Sequence, residues 1–134
     1  MSVNAITYRY NTVVNCIKTD VSIFNPLTKE KSDTLGIWDT GATNSCITAE
    51  LAIKLNLIPV SKALVLGVHG KQEVNVYLIR ITLKNQNMTL DLLATEAAEL
   101  SEDHKTGLLI GMDVISKHIL PAHRARCLQR DDRL

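Results

Sequence analysis

The sequence predicts an all-β domain: a small closed barrel of short strands with one or two short helices. Three observations carry that reading. Residues 3–25 and 60–93 are rich in Val, Ile, Thr, Tyr and other β-branched or aliphatic side chains, turn-forming residues interrupt them at short intervals, and only one segment has the signals of a helix at both ends. The length of 134 residues suits one domain, which can bury about two-thirds of the surface its unfolded chain exposes.

The elements follow in order. Residues 3–25 read as one or two strands ended by the turn-like Asn25-Pro26, and a polar stretch runs from Leu27 to Asp33. Leu35-Gly36-Ile37-Trp38 is a short apolar run that stops at Asp39-Thr40-Gly41, where an acid, a hydroxyl and a glycine make a tight loop at a strand end. An apolar strand leaves that loop through Cys46-Ile47. Thr48 is placed to cap a helix over residues 49–56, with Glu50 in the first turn and Pro59 beyond its end.

From Val60 to Leu93 the turn signals at Gly67–Gly70 and Asn85-Gln86-Asn87 divide the chain into two successive hairpins. Thr95 to Lys105 carries four acids and reads as a helical turn or an exposed, solvated loop. Leu108-Leu109-Ile110 reads as a buried strand ending at Gly111, and a second short helix starts at Met112. Residues 118–134 differ in character: four Arg and two Asp give this basic tail +2, against −1 for the domain over residues 1–117.

Composition narrows the function. With 46% hydrophobic and 22% charged residues the chain is no disordered protein, and a net charge of +1 gives no field for non-specific binding to nucleic acid or a membrane surface. No apolar stretch approaches the roughly 18 residues of a membrane-spanning helix, and no secretory signal is seen in the first thirty residues. Cys16, Cys46 and Cys127 are odd in number and contain no C-x-x-C, so the expectation is a reducing, cytoplasmic setting without disulfides. His118, His123 and Cys127 lack a fourth ligand at a recognised spacing, so no metal and no cofactor is expected.

Asp-Thr-Gly alone reads as a turn. Its setting says more, because Leu35 to Thr48 forms an apolar run, then Asp39-Thr40-Gly41-Ala42, then a polar stretch and a strand. Roughly seventy positions on comes Leu108-Leu109-Ile110-Gly111-Met112-Asp113, and Leu66-Gly67-Val68-His69-Gly70-Lys71-Gln72 lies between the two. In this order the three elements resemble the retropepsin-like aspartic peptidases, over about residues 3–117.

The resemblance implies a retropepsin fold with a flap hairpin and Asp39 as catalytic acid and base. It implies that Thr40 hydrogen-bonds across a dimer axis and that Gly41 turns the backbone and offers its amide to the carboxylate. Ala42, Ile110 and Gly111 would then lie along the substrate's path, and Gly67, Val68, His69 and Gly70 would form the flap tip, with His69 facing solvent. Apolar residues such as Val68, Leu108 and Ile110 would line pockets for alternate substrate side chains.

Only Asp39 is followed by Thr and Gly; Asp33-Thr34-Leu35 lacks the glycine. The chain holds one half of a two-carboxyl site. One carboxylate must take a proton from water while another donates to the peptide carbonyl, so the resemblance implies a homodimer that cleaves peptide or unfolded protein. The alternative is a catalytically silent module of the same fold that binds peptide or only dimerises. One departure bears on it. Relatives continue after the short helix into a strand that pairs with the partner chain, whereas Leu120-Pro121-Ala122-His123-Arg124 is a poor strand.

Overall fold

The computed structural model describes residues 16–67, 70–83 and 87–119. The expectations for residues 3–15, the flap tip at Val68 and His69, the turn at Asn85-Gln86 and the tail from Leu120 lie outside the described residues.

Among the described residues there are seven strands: β1 (Ile17–Phe24), β2 (Lys31–Trp38), β3 (Cys46–Thr48), β4 (Ser61–Gly67), β5 (Gly70–Leu83), β6 (Met88–Ala97) and β7 (Thr106–Ile110). They form one sheet in the order β1-β2-β7-β3-β6-β5-β4, and β1 also pairs with β5, so six strands close into a barrel. Strand β4 lies outside the ring and, among the described residues, is bound only to β5. Closure leaves the barrel without a free edge, and the hairpin β4–β5 keeps one.

The interior follows the two-residue period of the strands. Val21, Ile23, Ile47, Ile79, Ile81, Leu108 and Ile110 are all fully buried, and alternation is plainest in β5, where Tyr77, Ile79, Ile81 and Leu83 point inward. Strand β5 changes role along its length: Gly70–Val76 pairs with β4, Val76–Leu83 pairs with β6, and burial sets in at Val76. Its first half is a projecting hairpin arm and its second half is a barrel stave.

Thr106 turns inward at 1% exposure, and its hydroxyl has no hydrogen-bond partner among the described residues. Replacing an orphaned buried hydroxyl by a methyl group removes a desolvation cost of about 1 kcal/mol or more. Thr106→Val is therefore expected to raise the melting temperature by a few degrees; an unchanged or lower melting temperature would contradict this account of the interior.

Helix α1 (Ala49–Lys54) starts where its cap predicts, with the Leu51 amide donating to Thr48 Oγ1 at 3.3 Å. It ends two residues before the expected Asn56, because Asn56 takes a left-handed conformation with φ of 53°. Asn25 secures that end from the β1–β2 turn, its Nδ2 donating to the Leu55 and Asn56 carbonyls at 3.0 and 3.2 Å. The acidic stretch also divides differently from expectation. Thr95, Glu96 and Ala97 belong to β6, where parallel pairing with β3 keeps them extended, and the loop begins after them. Helix α2 (Met112–Val114) continues as a π-helical turn over Ile115–Ile119.

Candidate active site

Asp39 stands where β2 leaves the sheet. Strand β2 runs parallel to β7 with Trp38 opposite Ile110, and the Asp39 amide donates to the Ile110 carbonyl at 2.9 Å. The Trp38 indole N–H donates to Thr19 Oγ1 at 2.8 Å, which fixes the last residue of the strand. Beyond it the chain turns sharply. Gly41 N–H donates to Asp39 Oδ1 at 2.8 Å, and the Ala42 amide donates to the Asp39 carbonyl at 3.3 Å. Asp39 and Ala42 are half-buried, while Thr40, Gly41, Thr43 and Asn44 are exposed. One carboxylate oxygen is thus held by the loop itself, on a surface open to another molecule.

The second loop locks the first. Met112 and Asp113 donate their amides to the Ala42 and Thr43 carbonyls at 2.7 and 3.1 Å. A side chain on Gly111 would come within 2.8 Å of the Ala42 carbonyl oxygen and 2.9 Å of the Asn44 backbone. At Gly111 the two loops therefore approach too closely to admit a side chain without a shift.

A feature that sequence reasoning missed lies at the far end of the loop. Ser45 is fully buried and donates twice to Asp113, from its amide to Oδ2 at 3.0 Å and from its hydroxyl to Oδ1 at 2.8 Å. The Ser45 hydroxyl in turn accepts the Gly111 amide at 3.1 Å. A Gly-x-Asp at the start of a helix is the one signal that could have pointed to Asp113; nothing local marks its partner.

Ile110, expected on the substrate's path, and Leu108, expected to line a pocket, do neither. Both are fully buried, and Ile110 packs toward Gly36 inside the barrel. Their neighbour Leu109 faces out. The pairing register sets Ile37 beside Leu109, Leu109 beside Cys46, Cys46 beside Thr95 and Thr95 beside Val76, so these side chains share the face on which Asp39 also falls. That face continues onto the hairpin through Val74, Ala63 and Val65, all half-buried, whereas Leu64 and Leu66 on the opposite face are 70% and 84% exposed. Burial, and secondarily the charge of Asp113, pushes the Cys46 thiol above its ordinary pKa, so it sits in this row as a neutral, weakly polar side chain.

Gly67 and Gly70 face each other at the end of the hairpin, and Gly70 has φ of 104°. Among the described residues no group of three His, Cys, Asp or Glu side chains is placed to hold a metal ion, and no helix is long and apolar enough to cross a membrane.

Comparison with known proteins agrees with this geometry. The family described as Spumavirus aspartic protease (A9) matches residues 30–100, more than half of the chain and including Asp39. No curated protein sequence matches. Among solved structures, the simian foamy virus (mac) protease superposes with a TM-score of 0.52 at 16% identity, over 75% of this chain and 92% of that one. The retroviral protease-like domain of Ddi1 from Leishmania major gives a TM-score of 0.53 at 18% identity over 79% of each chain. The EIAV protease, complexed with the inhibitor HBY-793, gives 0.50 at 19% identity over 83% of this chain and 92% of that one. These likenesses show the shared fold. Together with the family match they place the chain among the retropepsin-like aspartic proteases, in the spumavirus aspartic protease family.

Proposed function

We propose that the protein is an aspartic endopeptidase that acts as a homodimer, with the two Asp39 carboxyls meeting on the two-fold axis. The observation that carries this reading is the single Asp39 loop, preorganised by the Gly41 amide and by the second loop, yet open on the side a partner would occupy. Two carboxyls about 3 Å apart share one proton, because like charges that close cannot both ionise. The ionised member takes a proton from water as its oxygen attacks the peptide carbon. The protonated member donates to the carbonyl oxygen; as the tetrahedral intermediate collapses, the carboxyl that took the water proton passes it to the nitrogen, the C–N bond breaks to release the amine, and a hydroxyl proton returns to the other carboxylate. Thr40, exposed beside Asp39, meets its counterpart across the axis in this reading.

The substrate is an extended segment of peptide or unfolded protein. It lies across Ile37, Leu109 and Cys46 under the hairpin β4–β5, whose half-buried face supplies Val65 and Val74 and whose backbone supplies hydrogen bonds. Specificity then comes from apolar pockets of modest size, and the preferred residues beside the cut are apolar. Cys16 and Cys46 are free thiols, which supports a reducing compartment such as the cytoplasm.

The test is cleavage of a library of apolar peptides across a dilution series, read beside sedimentation at the same concentrations. Specific activity is expected to fall as the dimer dissociates. Activity that is independent of concentration, from a species that sediments as a protomer, would overturn the proposal.

A further inference from the structure

We infer that Asp113 is a positioning residue for the Asp39 loop, acting through Ser45, and that a carboxylate is required there; its consequence for catalysis rests on the peptidase reading. The loop from Thr40 to Asn44 is largely exposed and has little apolar packing to hold it. Its position is fixed by polar contacts from the segment after β7. Ile110 accepts from Asp39 at one end, Met112 and Asp113 bond Ala42 and Thr43 in the middle, and the Asp113 side chain binds Ser45 at the other end. Ser45 also accepts the Gly111 amide through its hydroxyl and donates no backbone bond to β6; its carbonyl instead accepts the Thr95 amide at 3.0 Å. The residue that joins the loop to the barrel is therefore oriented by Asp113.

The acceptor pattern demands an acid. Asp113 Oδ2 faces the Ser45 amide, and Oδ1 faces both the Ser45 hydroxyl and the Val114 amide, the latter at 2.9 Å. An asparagine has one acceptor oxygen. Whichever way its amide turns, the –NH2 group meets a backbone N–H, donor against donor, so one contact becomes repulsive. Loss of the clamp frees the loop, and misplacement of about 1 Å in a catalytic group costs up to roughly 10²-fold in rate.

The experiment compares wild type, Asp113→Asn, Ser45→Ala and Leu55→Ala, the last a remote core substitution that serves as a stability control. Each is measured well below its melting temperature by kcat and KM, and by hydrogen exchange of the Gly41 and Ala42 amides, which bond Asp39 directly. Asp113→Asn is expected to lower kcat about 10²-fold with KM within about twofold. Ser45→Ala, which keeps the amide contact, is expected to lower kcat about 10-fold and guards against failure of the first variant to fold. Both should expose the Gly41 and Ala42 amides to faster exchange, and Leu55→Ala should do neither. Wild-type kcat in Asp113→Asn, or unchanged protection of the two amides, would overturn the inference. If wild type cleaves nothing while Asp113→Asn still loses that protection, the clamp stands and the peptidase reading falls.

Discussion

Asp39→Asn is expected to abolish peptide cleavage while leaving the fold and the dimer in place. The substitution is nearly isosteric, and the asparagine carbonyl oxygen can still accept the Gly41 amide that holds Asp39 Oδ1 at 2.8 Å. What disappears is the proton acceptor for water and the shared proton for the carbonyl. General acid–base terms of this kind are worth about 10² to 10⁴ each, so residual cleavage should fall below detection in an ordinary peptide assay. The proposed homodimer gives a sharper form of the prediction. If subunits exchange freely, an equimolar mixture of wild type and Asp39→Asn contains about one-quarter wild-type pairs, and total activity per wild-type chain should halve. Activity proportional to the wild-type chains alone would mean that one carboxyl suffices, which the chemistry of the dyad forbids.

The second large effect is expected at Gly111. Its φ is −98°, a value open to any residue, so the constraint is one of space. A methyl group there would meet the Ala42 carbonyl oxygen at 2.8 Å and the Asn44 backbone at 2.9 Å, and backbone atoms cannot swing aside as a flexible side chain can. To fit it, the two loops must separate, which lengthens the Met112-to-Ala42 and Asp39-to-Ile110 hydrogen bonds, now 2.7 and 2.9 Å. Overpacking of a close-fitted site costs about 1–3 kcal/mol, and loss of the bonds adds to it. Gly111→Ala should lower the melting temperature by roughly 10 °C and remove activity even in the fraction that stays folded. Gly70 supplies the contrast: its φ is 104° but a Cβ meets nothing within 4 Å, so Gly70→Ala should cost only about 1 kcal/mol of backbone strain. Equal losses at the two glycines would show that crowding between the loops is not what Gly111 relieves.

Much of this protein is legible in its residues alone. The loop Asp39-Thr40-Gly41, the helix cap at Thr48, the turn at Asn25-Pro26 and the two successive hairpins are all written in local chemistry: turn residues, caps and β-branched runs act over a few positions and need no distant partner. The expectation of a second chain also comes from the sequence, since a chain with one Asp-Thr-Gly holds one carboxyl of a two-carboxyl reaction.

Which side chains share the outward face with Asp39 was decided elsewhere. Leu108, Leu109 and Ile110 are chemically alike, and alternation says only that the middle one differs from its neighbours. Pairing of β7 with β2 and β3 set Leu109 outward beside Ile37 and Cys46, and sent Leu108 and Ile110 into the barrel. Likewise Ser45 and Asp113 stand 68 residues apart, and neither is unusual in its own neighbourhood. Closure of the sheet brings β3 and the end of β7 side by side, and this is what lets the buried Ser45 hydroxyl and the Asp113 carboxylate satisfy each other. Local propensity determined the elements and the Asp39 turn; long-range strand pairing determined the face around Asp39 and the contacts that hold its loop.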